Sequence, residues 1–433
     1  MSNFIIEGGK KLNGKIKTNP AKNPAVAILC ASTMIKGKTI LNDVPKIEDV
    51  KRIIEILNSI NIKTEWTGKN KLTINNNGRI NLKNLNKKAC KITRSSFLLT
   101  GALSTCFNTF SIFKPGGCQL GERTLSPHLL GFKNLGINFS EKKDKFIINA
   151  NRKKPAQFIM YEMSDTGTEN LIMAACLIPG KTIIKMAASN YMVQDLCIFL
   201  NKAGAKIKGI STSTLEINGV KKLNPVSYNI MPDPIDSMAF IAAAIATHST
   251  LTITNCPIDF LALELEKLRV LGQKFKISNI KKSKNKYFTI ADIKIIPSKL
   301  TALPDKIHAQ PYPGLNIDNL PLFIPILTQA KGNTLMHDWV YENRAIYALE
   351  LNKLNARISL LDPHRIIITG PTKFKPAEII CPPALRSSMN ILICMLAAKG
   401  KSILRNVYSI NRGYEDIVGR LIKIGADIKK IDN

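Results

Sequence analysis

The feature that most constrains this chain is a sixfold internal repeat with a period far longer than that of the usual solenoids. Each copy begins with an apolar, helix-compatible run: "KNPAVAILCAS" from Lys22, "RSSFLLTGALS" from Arg94, "GTENLIMAACL" from Gly167, "DSMAFIAAAIA" from Asp236, "DNLPLFIPILT" from Asp318 and "RSSMNILICML" from Arg386. A β-branched segment follows each, respectively "GKTILNDV", "FNTFSIF", "GKTIIKMA", "HSTLTITN", "GNTLMHDW" and "GKSILRNV". Their alternation of apolar and polar residues is that of strands. A second helix with one apolar face comes next in most copies. Val50, Ile53, Leu57 and Ile60 share its spacing with Val193, Leu196, Leu200 and Ala203 and with Tyr414, Ile417, Leu421 and Ile424. These helices end in "AGAKI", "VLGQKF", "LNARI" and "IGADI", where Gly or Asn suits a left-handed cap, and a further strand closes the copy.

The repeating unit is therefore βαβαββ. Its first helix is apolar nearly all round and belongs in a core. Its second is one-sided and belongs on a sheet, with its other face in water. The N-termini of the buried helices carry Lys22, Arg94, Thr168, Asp236, Asp318 and Arg386. Lysine and arginine are poor N-caps and oppose the helix dipole, so their recurrence there favours a site for phosphate or carboxylate over ordinary surface charge.

A chain of 433 residues has length for two or three domains with large cores. Its formal net charge is +31. That charge suits nucleic acid as well as small anions, but the lysines are scattered among Asn and Ile, with no aromatic-interleaved basic stripe and no nucleic-acid motif. No apolar run reaches membrane-spanning length, and "FII" near the start is broken at once by Glu7, so a cytoplasmic location is expected. The nine cysteines form no CxxC and pair with no histidine at zinc spacing, which favours reduced thiols and no metal. Most of them, Cys106, Cys176 and Cys394 included, lie in apolar runs and read as packing residues. Cys118 is different. In "PGGCQLGER" it sits among glycines, five residues before Arg123, where either a tight turn or a loop carrying a reactive thiol over an anion is possible.

Taken together, these stretches resemble the enolpyruvyl transferases. "NPAKNPAVAIL", "PGGCQLGER", "YPGLNID", "YENR" and "NRGYED" match that family in order and spacing, and the likeness covers essentially the whole chain. The resemblance implies an inside-out α/β barrel of two globular domains built from six βαβαββ repeats. Residues 1–21 with 231–433 would form the first domain and 22–230 the second, with substrates in the cleft between them. It also implies a reaction: transfer of the enolpyruvyl group of phosphoenolpyruvate to the 3′-hydroxyl of UDP-N-acetylglucosamine, with release of phosphate, as the first committed step of peptidoglycan synthesis. No cofactor is implied.

By the same resemblance Cys118 is the general acid, and the thiol fosfomycin would alkylate, while Asp318 is the general base. From the residues alone, an N-cap is the plainer reading of Asp318. Substrate binding falls to Lys22, Asn23, Arg94, Arg123, Val340, Arg344, Arg386 and Arg412. Lys22, Arg123 and Arg412 would hold the phosphate and Arg344 and Arg386 the carboxylate, for which the planar guanidinium fork is well suited. The chain departs from the family pattern at Ser126, Glu162, Pro234, Ala384 and Asn411. Ser126 and Glu162 bear on the acceptor. The alternatives are a paralogue with another hydroxylated anionic acceptor, of the EPSP-synthase kind, and a non-catalytic anion- or nucleic-acid-binding protein.

Overall fold

The structure, a computed structural model, describes residues 2–116 and 124–432. These divide into two compact units. The first joins residues 2–19 to 232–432, and the second comprises 20–116 and 124–231.

The repeat is plainest near the middle of the chain. Strand Gln157–Ile159 runs parallel to Lys181–Lys185, which pairs antiparallel with Thr214–Asn218, itself antiparallel to Lys206–Lys208. Helix Asp165–Ala175 connects the parallel pair, and helix Tyr191–Lys202 leads on to the antiparallel strands. The same order, one parallel edge and two antiparallel pairings, recurs around Gly37–Asn42, Leu251–Pro257 and Gly400–Arg405, and around Ala330–His337 in a five-stranded sheet where both Leu300–Thr301 and Ile307–His308 pair parallel with that strand. The sheet around Thr109–Phe113 has three strands among the described residues.

Three sheets are completed by distant segments of the same unit. Ser2–Gly8 lies between Gly400–Arg405 and Asp427–Asp432, Lys15–Lys17 pairs with Thr252–Thr254, and Ser227–Asn229 pairs with Ile40–Asn42. Two buried aspartates fix the ends of these segments. In the first unit, Asp236 accepts two bonds from Arg420 at 2.7 and 2.8 Å and one from the Asn19 amide at 2.9 Å, while Arg420 donates to the Lys17 carbonyl. In the second, Asp195 accepts from the Tyr228 hydroxyl and from the Met231 amide at 3.2 Å.

Each unit has its own helical core. In the first, Pro234–Ala246, Phe323–Leu327 and Leu385–Ala397 pack on one another, and every residue of Pro234–Ala246 is buried. In the second, Lys22–Ala31 and Asp165–Ala175 each pack on Leu99–Ser104 and on Tyr191–Lys202. The C-caps follow the sequence expectation: Gly204, Gly272, Asn355 and Gly425 all have positive φ.

Some expectations need correction. "DNLPLFIPILT" forms only a 3-10 turn, Leu320–Leu322, and the short helix Phe323–Leu327, because Pro325 lacks the amide donor for the Pro321 carbonyl, which accepts from Asn390 Nδ2 instead. Helix Tyr191–Lys202 is not one-sided: residues 191–200 are all buried, since it packs against both Lys22–Ala31 and Asp165–Ala175. Cys106 is exposed, past the end of its helix. Part of the positive charge lies on strand Lys274–Lys282, an edge strand whose exposed lysines keep other strands from adding to it.

Candidate active site

In the first unit the site is built on the turn before Leu320. Asn316 Oδ1 accepts from the Asp318 amide at 2.8 Å, and the buried Glu264 accepts from Asn319 Nδ2 at 2.7 Å and from the Asn316 amide at 3.3 Å. Burial pushes the Glu264 carboxyl up, opposed by the Asn319 bond. Asn319, not Asp318, occupies the cap position of the 3-10 turn. Asp318 instead presents its carboxylate to two arginines. Arg386 Nη2 donates to Oδ2 at 3.1 Å, and Arg344 Nη1 lies 3.7 Å from Oδ1.

Both guanidiniums are set by further contacts. Arg386, near the start of Leu385–Ala397, donates from Nη1 to the Tyr414 hydroxyl at 3.1 Å. Burial pushes the Tyr414 phenol up to about 12, with Arg386 opposing, so it stays neutral. Arg344 donates from Nη2 to the Ile317 carbonyl at 2.8 Å and from Nε to Asp338. The Arg344 and Arg386 side chains are 3% and 7% exposed, whereas that of Asp318 keeps 26%. Within this cluster the base candidate is the group that reaches solvent. Arg412 is half-buried at the end of helix Tyr408–Asn411, and Val340 is exposed.

In the second unit Lys22 opens helix Lys22–Ala31, whose cap residue Ala21 supplies no side-chain bond and whose first turn holds no acid. Its ammonium pairs with the buried Asp49 at 3.0 Å, and Asn23 donates to the Tyr191 hydroxyl at 3.0 Å. Arg94 opens the 3-10 turn Arg94–Leu98, also without a side-chain cap, and donates to the Thr124 carbonyl at 2.9 Å. Beside it His128 is buried. Burial, with the Arg94 charge adding to it, pushes this imidazole down to about 3. As a neutral ring it accepts from Asn170 at Nδ1 (3.0 Å) and donates from Nε2 to Thr166 (3.2 Å). Cys118 and Arg123 lie outside the described residues.

Leu385–Ala397 is a third helix of this kind, since its cap residue Ala384 gives no side-chain bond. By contrast, helices Asp165–Ala175 and Pro234–Ala246 are capped by Ser164 and Asp233. At Lys22, Arg94 and Arg386 a cation thus stands in the first turn of an element whose terminal amides lack a side-chain acceptor, an arrangement that suits an anion. Sequence reasoning missed Asp338, Asp49 and Tyr191 as partners of the site residues. Asp338 has the only sequence cue, its place just ahead of "YENR".

Residues 6–421 match the family model described as EPSP synthase (3-phosphoshikimate 1-carboxyvinyltransferase). The chain is 34% identical over 439 residues to the UDP-N-acetylglucosamine 1-carboxyvinyltransferase of Bacteroides fragilis, covering all of both chains. It is also 34% identical over 432 residues to the protein of the same name from Borreliella burgdorferi, covering 100% of this chain and 99% of that one. Among solved structures it resembles the enolpyruvyl transferase NikO from Streptomyces tendae, with a TM-score of 0.86 at 22% identity over 99% of each chain. An EPSP synthase from Acinetobacter baumannii superposes with a TM-score of 0.74 at 17% identity over the whole of both chains.

Proposed function

The chain belongs to the EPSP synthase (3-phosphoshikimate 1-carboxyvinyltransferase) family, and on that premise we propose that it transfers the enolpyruvyl group of phosphoenolpyruvate to the 3′-hydroxyl of UDP-N-acetylglucosamine. The observation that carries the reading is the Asp318 carboxylate, part-exposed and aligned by two buried arginines at 3.1 and 3.7 Å. Full-length relatives bearing that enzyme name support the choice of acceptor. We take the two compact units to be the two domains of an inside-out α/β barrel, and the enzyme to act in the cytoplasm in peptidoglycan synthesis.

The chemistry is addition followed by elimination. Asp318 removes the proton of the acceptor hydroxyl, whose oxygen bonds to C2 of phosphoenolpyruvate. Cys118 gives a proton to C3, producing a tetrahedral ketal. Loss of phosphate, with a proton leaving C3, restores the double bond and yields the enolpyruvyl ether. Arg344 and Arg386 bind the donor's carboxylate. A carboxylate arriving at either guanidinium competes with Asp318 for it, so donor binding weakens the hold on the base at the step where the base is needed. Lys22, Arg123 and Arg412 receive the phosphate, Asn23 orients the donor, and Arg94 faces the acceptor's diphosphate. Val340 contacts the acceptor.

The test is phosphate release from phosphoenolpyruvate in the presence of UDP-N-acetylglucosamine. Release that depends on that acceptor is expected, and its absence sinks the reading. Thermal stabilisation by shikimate 3-phosphate in place of UDP-N-acetylglucosamine would move the assignment to an EPSP-synthase-like acceptor.

A further inference from the structure

We propose that Asp338 is a positioning residue for the reaction: it holds Arg344 from behind and offsets its charge, so that Asp318 does not face the full charge of that guanidinium. This rests on the reading of Asp318 as the base. Asp338 directly follows strand Ala330–His337, is 4% exposed, and bonds Arg344 Nε. Its other oxygen, Oδ1, is buried without a hydrogen-bond partner. Its backbone is fixed on both sides: the amide donates to the His364 carbonyl at 2.8 Å, and the Asp338 carbonyl meets His364 Nδ1 at 2.9 Å. The neighbouring Trp339 donates its indole N–H to the Ala309 carbonyl at 2.7 Å. The carboxylate is thus delivered to Arg344 by rigid backbone.

The geometry divides the labour at Arg344. Nε goes to Asp338 and Nη2 to the Ile317 carbonyl, one residue before Asp318, leaving Nη1 toward the Asp318 carboxylate without a hydrogen bond. Among the described residues, the groups around Asp318 include Arg386 with Tyr414 behind it, Arg344 with Asp338 behind it, and Glu264 beneath the turn. Asp338 and Arg344 together sum to zero charge. Without Asp338 the site gains one positive charge, which favours the ionised form of Asp318 and makes it a weaker base.

Asp338→Asn keeps the shape and removes the charge. The acid limb of its pH–kcat profile is expected to move down by about one pH unit, with a lower plateau, while Asp338→Glu retains the wild-type limb. A purely structural role would lower thermal stability and leave the limb where it is; that result in a folded Asp338→Asn overturns the proposal. If the wild type shows no acceptor-dependent phosphate release, the functional reading has failed, and carbon-13 titration of the Asp318 carboxyl still decides the electrostatic claim: its midpoint should be lower in Asp338→Asn. Should that variant not fold, Asp338→Ser, which removes the same charge with a smaller side chain, is expected to lower the Asp318 midpoint as well, and an unchanged midpoint overturns the proposal.

Discussion

Both units hold buried groups in neutral form, since burial also raises Glu264, Cys256, Cys381 and Cys394 in the first, but they differ in their charge pairs. The first pairs opposite charges: Asp236 with Arg420, Asp338 with Arg344, and Arg386 with Asp318. The second keeps several such groups neutral. Burial drives His128 down to about 3, raises Glu169 well above its usual range with Asp165 adding to it, and raises Cys30, Cys90, Cys176 and Cys197. Its cations Lys22 and Arg94 stand at helix starts, where Lys22 pairs with the Asp49 carboxylate and Arg94 donates to the Thr124 carbonyl. Paired charges are insensitive to moderate pH but intolerant of losing one partner, whereas buried neutral groups are the reverse.

The sharpest way to break this contrast is at Asp318. Asp318→Asn should lower the rate of phosphate release by about 10²–10⁴-fold, the range for general-base loss, in a protein that still folds, because the amide oxygen can still accept from Arg386. A variant with near-wild-type turnover would remove Asp318 from the chemistry and reduce the cluster to a structural pair.

The next effect is on stability. Arg420→Met leaves Asp236 buried without its bidentate partner, and breaking such a pair costs about 3–5 kcal/mol. Urea unfolding should show this loss, and Asp236→Leu added to Arg420→Met should recover much of it. A single variant as stable as wild type would mean that the pair does not anchor the Lys15–Asn19 segment.

The smallest effect belongs to the second unit and to pH. His128 is depressed in the folded state, so the unfolded chain binds its proton first. Stability from this group is complete above its unfolded pKa of about 6.5. It declines as pH falls toward its folded value of about 3. His128→Gln should flatten the pH dependence of the urea midpoint between those limits. An unchanged slope would show that His128 is not the group that makes this unit acid-sensitive.

Much of the architecture was legible in the chain. The apolar runs after Lys22, Asp236 and Arg386 became buried helices because a run with no polar face has no stable place at a surface. Gly204, Gly272, Asn355 and Gly425 marked helix ends because those positions take positive φ. The same patterning misjudged Tyr191–Lys202, whose second face is covered by a neighbouring helix, and "DNLPLFIPILT", where apolar content concealed the two prolines. The site was legible in part. Asp318, Arg344 and Arg386 were singled out in the sequence and do meet, while Asp338, Asp49 and Tyr191 carried no periodic signal.

Local chemistry is what the sequence determined alone: the βαβαββ period, the caps, and the residue types suited to holding an anion. Side-chain pattern and backbone propensity act over a few residues, so they can be read from a few residues. Which charges meet was decided only by the tertiary structure. Asp318 and Arg386 are 68 residues apart, Asn23 and Tyr191 168, and Asp236 and Arg420 184. Only the packing of each unit's helices and the closing of its sheets by distant strands bring them within hydrogen-bonding distance. Burial then sets whether each group stays charged.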